Sequence, residues 1–498
     1  MKKSILIIGS GMGGLSSGIY GQLNGFDTTI FEMHSIPGGQ CTAWNRNGYI
    51  FDGCIHVLGG GSPKTKLEEF WTQLGVHPCE SIELKELIAG KFPDGTLVHN
   101  YCEINRLQSH LKEISPEDVD VIDEFINGVK LFQKGDSIGA MLFGSIWEKM
   151  LQLPLIVKSL KYFRYNLGSF SKKFKNPPLK KFFAVLHYGV PALPLFGQIF
   201  KQADIANGGM VWPKGGSLTV AKNMASKFVQ LGGKIFYTKK VVKIITENNR
   251  ACGVELEDGS VHKADFIISN ADGRKTIMQM LSGRYVNKRI LEYCRPNPDV
   301  DREFAVNVFL GVDCDLSSYP PAMICFLEKA ETICGYTTDH IDLQMYGYDR
   351  TMAPEGKGII KVELYARMSY FSAMYNNKKT YKEEKTKIAE KVIALVEKQI
   401  PNIKGKIEVT DVITLQTWER YMGGTHGWVN WPNKKFSIPE DVFGLGRKDQ
   451  LPGLKNFYFT GQWATSSGAL LMNAISGKSI IKKICNKCGI KFKETLSL

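Results

Sequence analysis

The segment Gly9-Ser10-Gly11-Met12-Gly13-Gly14 and the acid Glu32, eighteen residues past Gly14, have the types and spacing that hold a dinucleotide. Gly9 permits a tight turn, Gly11 lets backbone approach a pyrophosphate, and Gly14 lets a helix pack on a strand. Met12 and Gly13 fall where the following helix presents unpaired N–H groups and a positive dipole end to phosphates. Glu32 is placed to accept hydrogen bonds from ribose hydroxyls. A second pair, Gly38-Gly39, follows in "FEMHSIPGGQ" and allows another close approach of backbone to a cofactor, which a bulky, tightly held dinucleotide requires. His56 and His426 have the chemistry of a general acid or base, since an unperturbed imidazole titrates near working pH; a satisfied structural histidine is the alternative for each. No H-x-x-x-H occurs, and the single CxxC, Cys485 to Cys488, lacks a second half, so no metal is expected.

These residues need a scaffold. Ile5–Ile8 reads as a buried parallel strand, Leu15 to Leu23 as the helix after the glycine loop, and Phe26–Phe31 as a second strand ending at Glu32. The chain has 498 residues, 43% hydrophobic and 22% charged, enough for a large core and two or more domains. Eleven scattered cysteines suggest no disulfide framework and a reducing, cytoplasmic setting. The short apolar start runs straight into the glycine loop and reads as a strand, not a signal peptide. No run of about 18 apolar residues occurs, which argues against a membrane-spanning helix. A second glycine-rich dinucleotide loop is absent, and Cys41 and Cys54 lie too far apart in sequence to resemble a reductase's redox pair.

The extended segment, from Gly9–Gly14 through Glu32 to "PGGQCTAWNRNGYIFDGCIH", resembles the FAD-binding N-terminus of the phytoene desaturase, carotenoid isomerase and retinol saturase family, within the amine-oxidase-like flavoproteins. Gln40 stands where that family often has Arg or Ser. Two distant segments extend the resemblance: "GGMVWPKGGSL…FIISNAD" and "NFYFTGQWATSSGALLMNAISGKS". It implies that the backbone at Val241 contacts the adenine and that Asn270 closes the sheet on the cofactor. Gly461-Gln462, where most members have Gly-Asp, would lie by the ribityl chain, and a helix starting near Ala469 would aim at the flavin. His56 would lie where the chain runs toward the isoalloxazine, and His426 in a loop near the substrate cavity. The implied fold is α/β: a Rossmann-like FAD-binding domain (1–85, 207–300 and 440–498) with an inserted α+β substrate domain (86–206 and 301–439). The implied activity is hydride transfer between FAD and a long apolar polyene or isoprenoid-like lipid, by desaturation or saturation, with the electron acceptor unspecified. Redox-neutral cis–trans isomerisation with reduced FAD, amine oxidation, and a flavin-free prenyl-lipid carrier of the GDP-dissociation-inhibitor type are the alternatives.

Lys+Arg total 63 against 49 acids, a formal net charge of +14. Between 141 and 201, nine lysines and Arg164 face one acid, Glu148. There Ile156, Leu160, Phe163, Leu167, Phe170 and Phe174 form an apolar stripe at helical spacing, with Lys158, Lys161, Arg164, Lys172 and Lys175 off it. This predicts a basic amphipathic helix seated on an anionic membrane surface, hence peripheral attachment. Nucleic acid is not expected, because no nucleic-acid-reading module is present.

Overall fold

In the computed structural model, which describes residues 2–495 apart from 134, 295–302, 373, 375–376, 425–448 and 466–468, Ser4–Ile8 is the central strand of a five-stranded sheet. Its strand order is Lys234–Phe236, Asp27–Phe31, Ser4–Ile8, Phe266–Ser269, Phe457–Phe459, and every pairing is parallel. These strands are short and β-branched because both faces are buried. Ile5, Ile7, Ile30 and Ile268 pack under the helices Met12–Leu23, Ser217–Gln230 and Leu470–Lys487. Leu6, Ile8, Phe31 and Ile267 pack on the other face, against the small antiparallel sheet Val241–Glu247, Arg250–Leu256 and Val261–Lys263. The first helix starts at Met12, three residues earlier than its apolar pattern suggests, because Gly11 already has the extended N-cap geometry.

A seven-stranded sheet forms the second layer system, in the order Ile407–Ile413, Glu303–Val312, Gly358–Arg367, Tyr336–Met345, Ala322–Ile333, Glu86–Lys91, Leu97–Tyr101. It is antiparallel except between Ala322–Ile333 and Glu86–Lys91. One face buries Val306, Val308, Leu343, Ile360 and Val362 against the long helix Lys378–Gln399. The other face meets the hairpin Ala43–Arg46/Tyr49–Asp52, where Phe51 and Phe309 stack at 5.0 Å.

Residues 104–206 form a set of short helices, and here the sequence expectation fails. The stripe from Ile156 to Phe174 is not one helix. Leu153–Ser159 passes into a 3-10 turn, Leu160–Arg164; Tyr165 is extended, and Asn166 starts Leu167–Ser171 by accepting from Ser169 N–H at 2.7 Å. An N-cap residue must leave helical geometry, so Asn166 breaks the pattern that the apolar spacing implied. Leu167, Phe170 and Phe174 then point into the core beside Phe125 and Phe183, while Leu160 remains 55% exposed. The apolar stretch 182–200 is also mainly core: Phe182, Phe183, Leu195 and Ile199 are fully buried. Among the described residues no helix is long and apolar enough to cross a membrane.

Candidate dinucleotide and substrate site

A cleft of about 520 Å³ opens at the carboxyl ends of the parallel strands. It is lined by Gly9, Gly11, Met12 and Gly13 from the first loop, Glu32 from the second strand's end, and Gly38, Gly39 and Gln40 from the second glycine pair. Val241, Asn270, Gly461 and Gln462 complete the wall, so three distant stretches of chain meet there. Gly14 stands behind the loop: a Cβ on it would run into the Gly9 carbonyl, so its smallness serves helix–strand packing. Ala469 is the N-cap of Leu470–Lys487, and it is Leu470 and Asn473 that line the cleft.

The two glycine segments are physically joined. Gly38 N–H donates to the Ser10 carbonyl at 2.9 Å, and Gly11 and Gly38 form a parallel bridge. Gly38 has φ +110°, a conformation that side chains avoid. Asn270 explains more of the glycine pattern. A Cβ at Gly11 would lie 2.5 Å from Asn270 Nδ2, and one at Gly13 would lie 2.8 Å from Asn270 Oδ1. The Asn270 amide thus occupies the space those missing side chains leave.

Glu32 is buried and already organised. Ser10 donates its backbone N–H and its hydroxyl to Oε2, each at 2.7 Å, and His34 N–H donates to Oε1 at 2.8 Å. A carboxylate has about four acceptor sites, which leaves capacity for a ribose hydroxyl. Two helix N-termini face the cleft, at Met12 and Leu470. Neither has a capping side chain among the described residues, and neither has an acid in its first turn. Their exposed amides and dipoles suit an anionic group. This cradle, closed to side chains and edged by an acceptor for a ribose, fits a dinucleotide.

Sequence reasoning missed several neighbours. Glu419 and Arg420 line the cleft from the helix Leu415–Met422. Burial raises the Glu419 carboxyl to about 7, opposed by Lys275 and reinforced by Asp272. Cys41 and Cys54 also line the cleft. The hairpin register that pairs Ala43 with Asp52, extended by Gly53 N–H donating to the Thr42 carbonyl at 3.1 Å, sets the two cysteines opposite each other despite their separation in sequence. Asp52, fully buried, accepts from Ser217 N–H at 2.5 Å, Ser217 Oγ at 2.6 Å and Cys54 N–H at 2.9 Å. It caps the Ser217–Gln230 helix from another part of the chain. Trp463 is 4% exposed, and its indole fills the space beside Gly273 at the cleft wall.

His56 lies two residues beyond the cleft-lining Cys54, between Tyr188 and the seven-stranded sheet. Its ring stacks on Tyr188 at 3.7 Å, and Nε2 is 4.0 Å from Glu363 Oε2. Burial, then the charges of Lys361 and Lys201, hold the imidazole pKa well below its ordinary value, so His56 is neutral. His426 lies outside the described residues.

Residues 7–74 match the NAD(P)-binding Rossmann-like domain family. The chain is 27% identical to prolycopene isomerase, chloroplastic, of Daucus carota over 521 residues, covering 99% of this chain and 81% of that one. It is 26% identical over 283 residues to the lycopene-forming phytoene desaturase of a Paracoccus species, covering 54% and 55%. The chain is a homologue of the prolycopene isomerases and phytoene desaturases. The fold of this homologue is also that of a solved oxidoreductase from Methanosarcina mazei, with TM-score 0.59, 16% identity, and 96% and 100% coverage.

Proposed function

We propose that the protein is an FAD-dependent oxidoreductase that moves hydride to or from a long apolar polyene or isoprenoid-like lipid. The observation that carries this is the joined glycine cradle: Gly11 bridged to Gly38, with Glu32 pre-organised beside it and a second uncapped helix end at Leu470. A second backbone approach of this kind suits a resident dinucleotide better than an exchanging one. When bound, FAD supplies a hydride acceptor or donor for carbon. Glu32 would hold the adenosine ribose, and the amides at Met12 and Gly13 the pyrophosphate. The walls at Trp463 and Cys54 would keep water from the reacting face. His56, neutral and beside the cleft wall, is the proposed proton-handling group; the same role is proposed for His426. The discontinuous division into a cofactor domain and a substrate domain is supported by the five-stranded sheet, whose strands come from 4–31, 234–269 and 457–459.

Redox-neutral isomerisation is the second reading. It is supported by the match to the carrot prolycopene isomerase along the length of this chain, while a 24% match of equal extent to a 4,4'-diapophytoene desaturase of a Methylomonas species supports desaturation. An amine oxidase would require an aromatic cage at the flavin face. A GDP-dissociation-inhibitor-like carrier would have no need of the glycine cradle. The deciding experiment records the visible spectrum of the purified protein, then measures product against acceptor consumed in anaerobic turnover of a polyene. A colourless protein that stays colourless after adding FAD overturns the reading. Product formed without acceptor consumption selects isomerisation.

Peripheral attachment to an anionic bilayer is part of the proposal, through a patch that shares only Leu160 with the expected stripe. Ile146, Trp147, Leu151, Leu153, Val157 and Leu160 are all more than half exposed within fifteen residues, on the short helices Ile146–Leu151 and Leu153–Ser159 and the turn after them. Lys149, Lys158, Lys161 and Arg164 are exposed around them. An apolar patch ringed by cations is complementary to an anionic lipid surface.

A further inference from the structure

The hairpin beside the dinucleotide cleft brings two thiols together there. Its register pairs Ala43 with Asp52, and Gly53 N–H donates to the Thr42 carbonyl at 3.1 Å. Thr42 and Gly53 are thus a hydrogen-bonded pair, and Cys41 and Cys54 stand opposite each other at the next, non-hydrogen-bonded position. Side chains come closest at such positions, where Cα atoms lie about 4.5 Å apart. A disulfide bridges that span without moving the backbone. Both residues are free thiols, and no other cysteine among the described residues lines the cleft.

Their surroundings differ. Cys41 is 2% exposed and donates its thiol to the Ser217 carbonyl at 3.3 Å. The Cys54 side chain, then burial, then Asp52 hold the Cys41 thiol well above its ordinary pKa. That Cys54 outweighs burial in a residue so enclosed is what two thiols in contact produce. Cys54 is half-buried, and of the two it is the more open to whatever enters the cleft.

We propose that Cys41 and Cys54 are a redox-active pair that forms a reversible disulfide and exchanges two electrons with the flavin, and that the external electron carrier is a thiol–disulfide compound. The inference rests on the FAD reading above and names the carrier which that reading leaves open. Glu32 marks the adenosine ribose, and the amides at Met12 and Gly13 the pyrophosphate. The cysteines lie past Gly38-Gly39, on the hairpin that packs against the seven-stranded sheet, which is the side left for the flavin half. The exchange balances. The Cys54 thiolate attacks an external disulfide RSSR, a Cys54–SR bond forms and RS⁻ leaves. The Cys41 sulfur then attacks the Cys54 sulfur, the Cys41–Cys54 bond forms and the second RS⁻ leaves. The two RS⁻ groups take up the two protons that the cysteines release. Reduced FAD reopens the pair: the S–S bond breaks, two electrons and two protons pass to the sulfurs, and FAD is left oxidised. Desaturation turns over in this direction. Run in reverse, an external dithiol supplies the reduced flavin that saturation or isomerisation requires. Because Cys41 is enclosed, external thiols meet Cys54, and a mixed disulfide resolves inward.

The test uses flavin-loaded full-length protein and dithiothreitol as the probe. The protein is equilibrated without oxygen at a series of reduced-to-oxidised dithiothreitol ratios, alkylated, and mapped by peptide mass. Cys41 and Cys54 should pass together from two alkylated thiols to one disulfide-linked pair of peptides, in a single two-electron transition. Reduced dithiothreitol should also bleach the visible absorbance of the bound flavin. Cys41→Ser and Cys54→Ser should each bleach on the order of a hundredfold more slowly, because the intramolecular reaction is lost. Flavin-loaded protein in which both cysteines stay alkylated at every ratio overturns the inference and leaves the FAD reading intact. Bleaching as fast in both flavin-loaded serine variants as in the parent does the same. Protein that takes up no FAD overturns both. The mapping in unmodified protein stands even where a variant fails to fold.

Discussion

At the scale of single residues, the glycines do two jobs that sequence alone merges. The sequence pattern has Gly11 make way for a pyrophosphate, yet the first atom its missing Cβ would meet is Asn270 Nδ2. Gly11→Val should therefore abolish bound flavin by displacing Asn270 as well as filling the cradle; a folded variant with full flavin absorbance contradicts this. Asp342 offers a test by pH. Burial, helped by Glu363 and opposed by His340, raises its carboxyl from the ordinary 3.8 to about 7. The folded chain then holds a proton that the unfolded chain has released, so stability falls as pH rises between these values and levels off above them. Asp342→Asn removes the dependence. It should be more stable than the parent by on the order of 3 kcal/mol at about pH 8 and equal to it near pH 3, measured by urea unfolding at both.

At the scale of elements, the region 141–201 shows how a helical period can be split between two environments. Leu167, Phe170 and Phe174 of the apolar stripe are core, Ile156 and Phe163 are half-buried and Leu160 is exposed, because Asn166 ends one segment and begins another. The basic residues divide as well. Lys173 is held by Glu124 at 2.7 Å and lies over the Tyr165 ring, so its substitution tests folding. Lys158 and Lys161 are exposed and form no ion pair among the described residues. Lys158→Glu with Lys161→Glu should lower binding to anionic vesicles by about tenfold or more, since each cation near such a surface contributes about 1 kcal/mol and each reversal about twice that. Trp147, 75% exposed, reports the contact directly. Its fluorescence should shift to the blue on anionic vesicles and be quenched by brominated lipid; an unchanged spectrum counts against docking.

At the scale of the whole molecule, the cofactor cleft and the seven-stranded sheet share one tie, the hairpin Ala43–Asp52 with the residues just beyond it. Its Asp52 caps the Ser217 helix, its Phe51 stacks on the seven-stranded sheet, and the chain after it carries Cys54 to the cleft and His56 to that sheet. Asp52→Ala leaves Ser217 N–H and Oγ and Cys54 N–H without their acceptor. It should cost about 3 kcal/mol in unfolding free energy and weaken flavin retention in the same variant. Asp52→Ala protein that melts lower but keeps its flavin would show that the hairpin does not couple the two regions.

The dinucleotide cradle was legible in the sequence because its parts are local: a turn, a helix start and an acid at a fixed spacing, all set by backbone sterics within about thirty residues. The Gly38-Gly39 pair was legible for the same reason. What the tertiary structure alone decided depends on pairings between distant strands and helices. Asp52 with Ser217, Cys41 opposite Cys54, Glu419 turned into the cleft, and the end of the stripe at Asn166 follow from packing and cross-strand register. The polar face of the second sheet is the clearest case. Its alternation, Ile360-Lys361-Val362-Glu363, reads like any strand with one wet side. Only the placement of Tyr188 and His56 over it turns that side into a buried layer, because a two-residue period fixes which residues share a face and says nothing about what covers it.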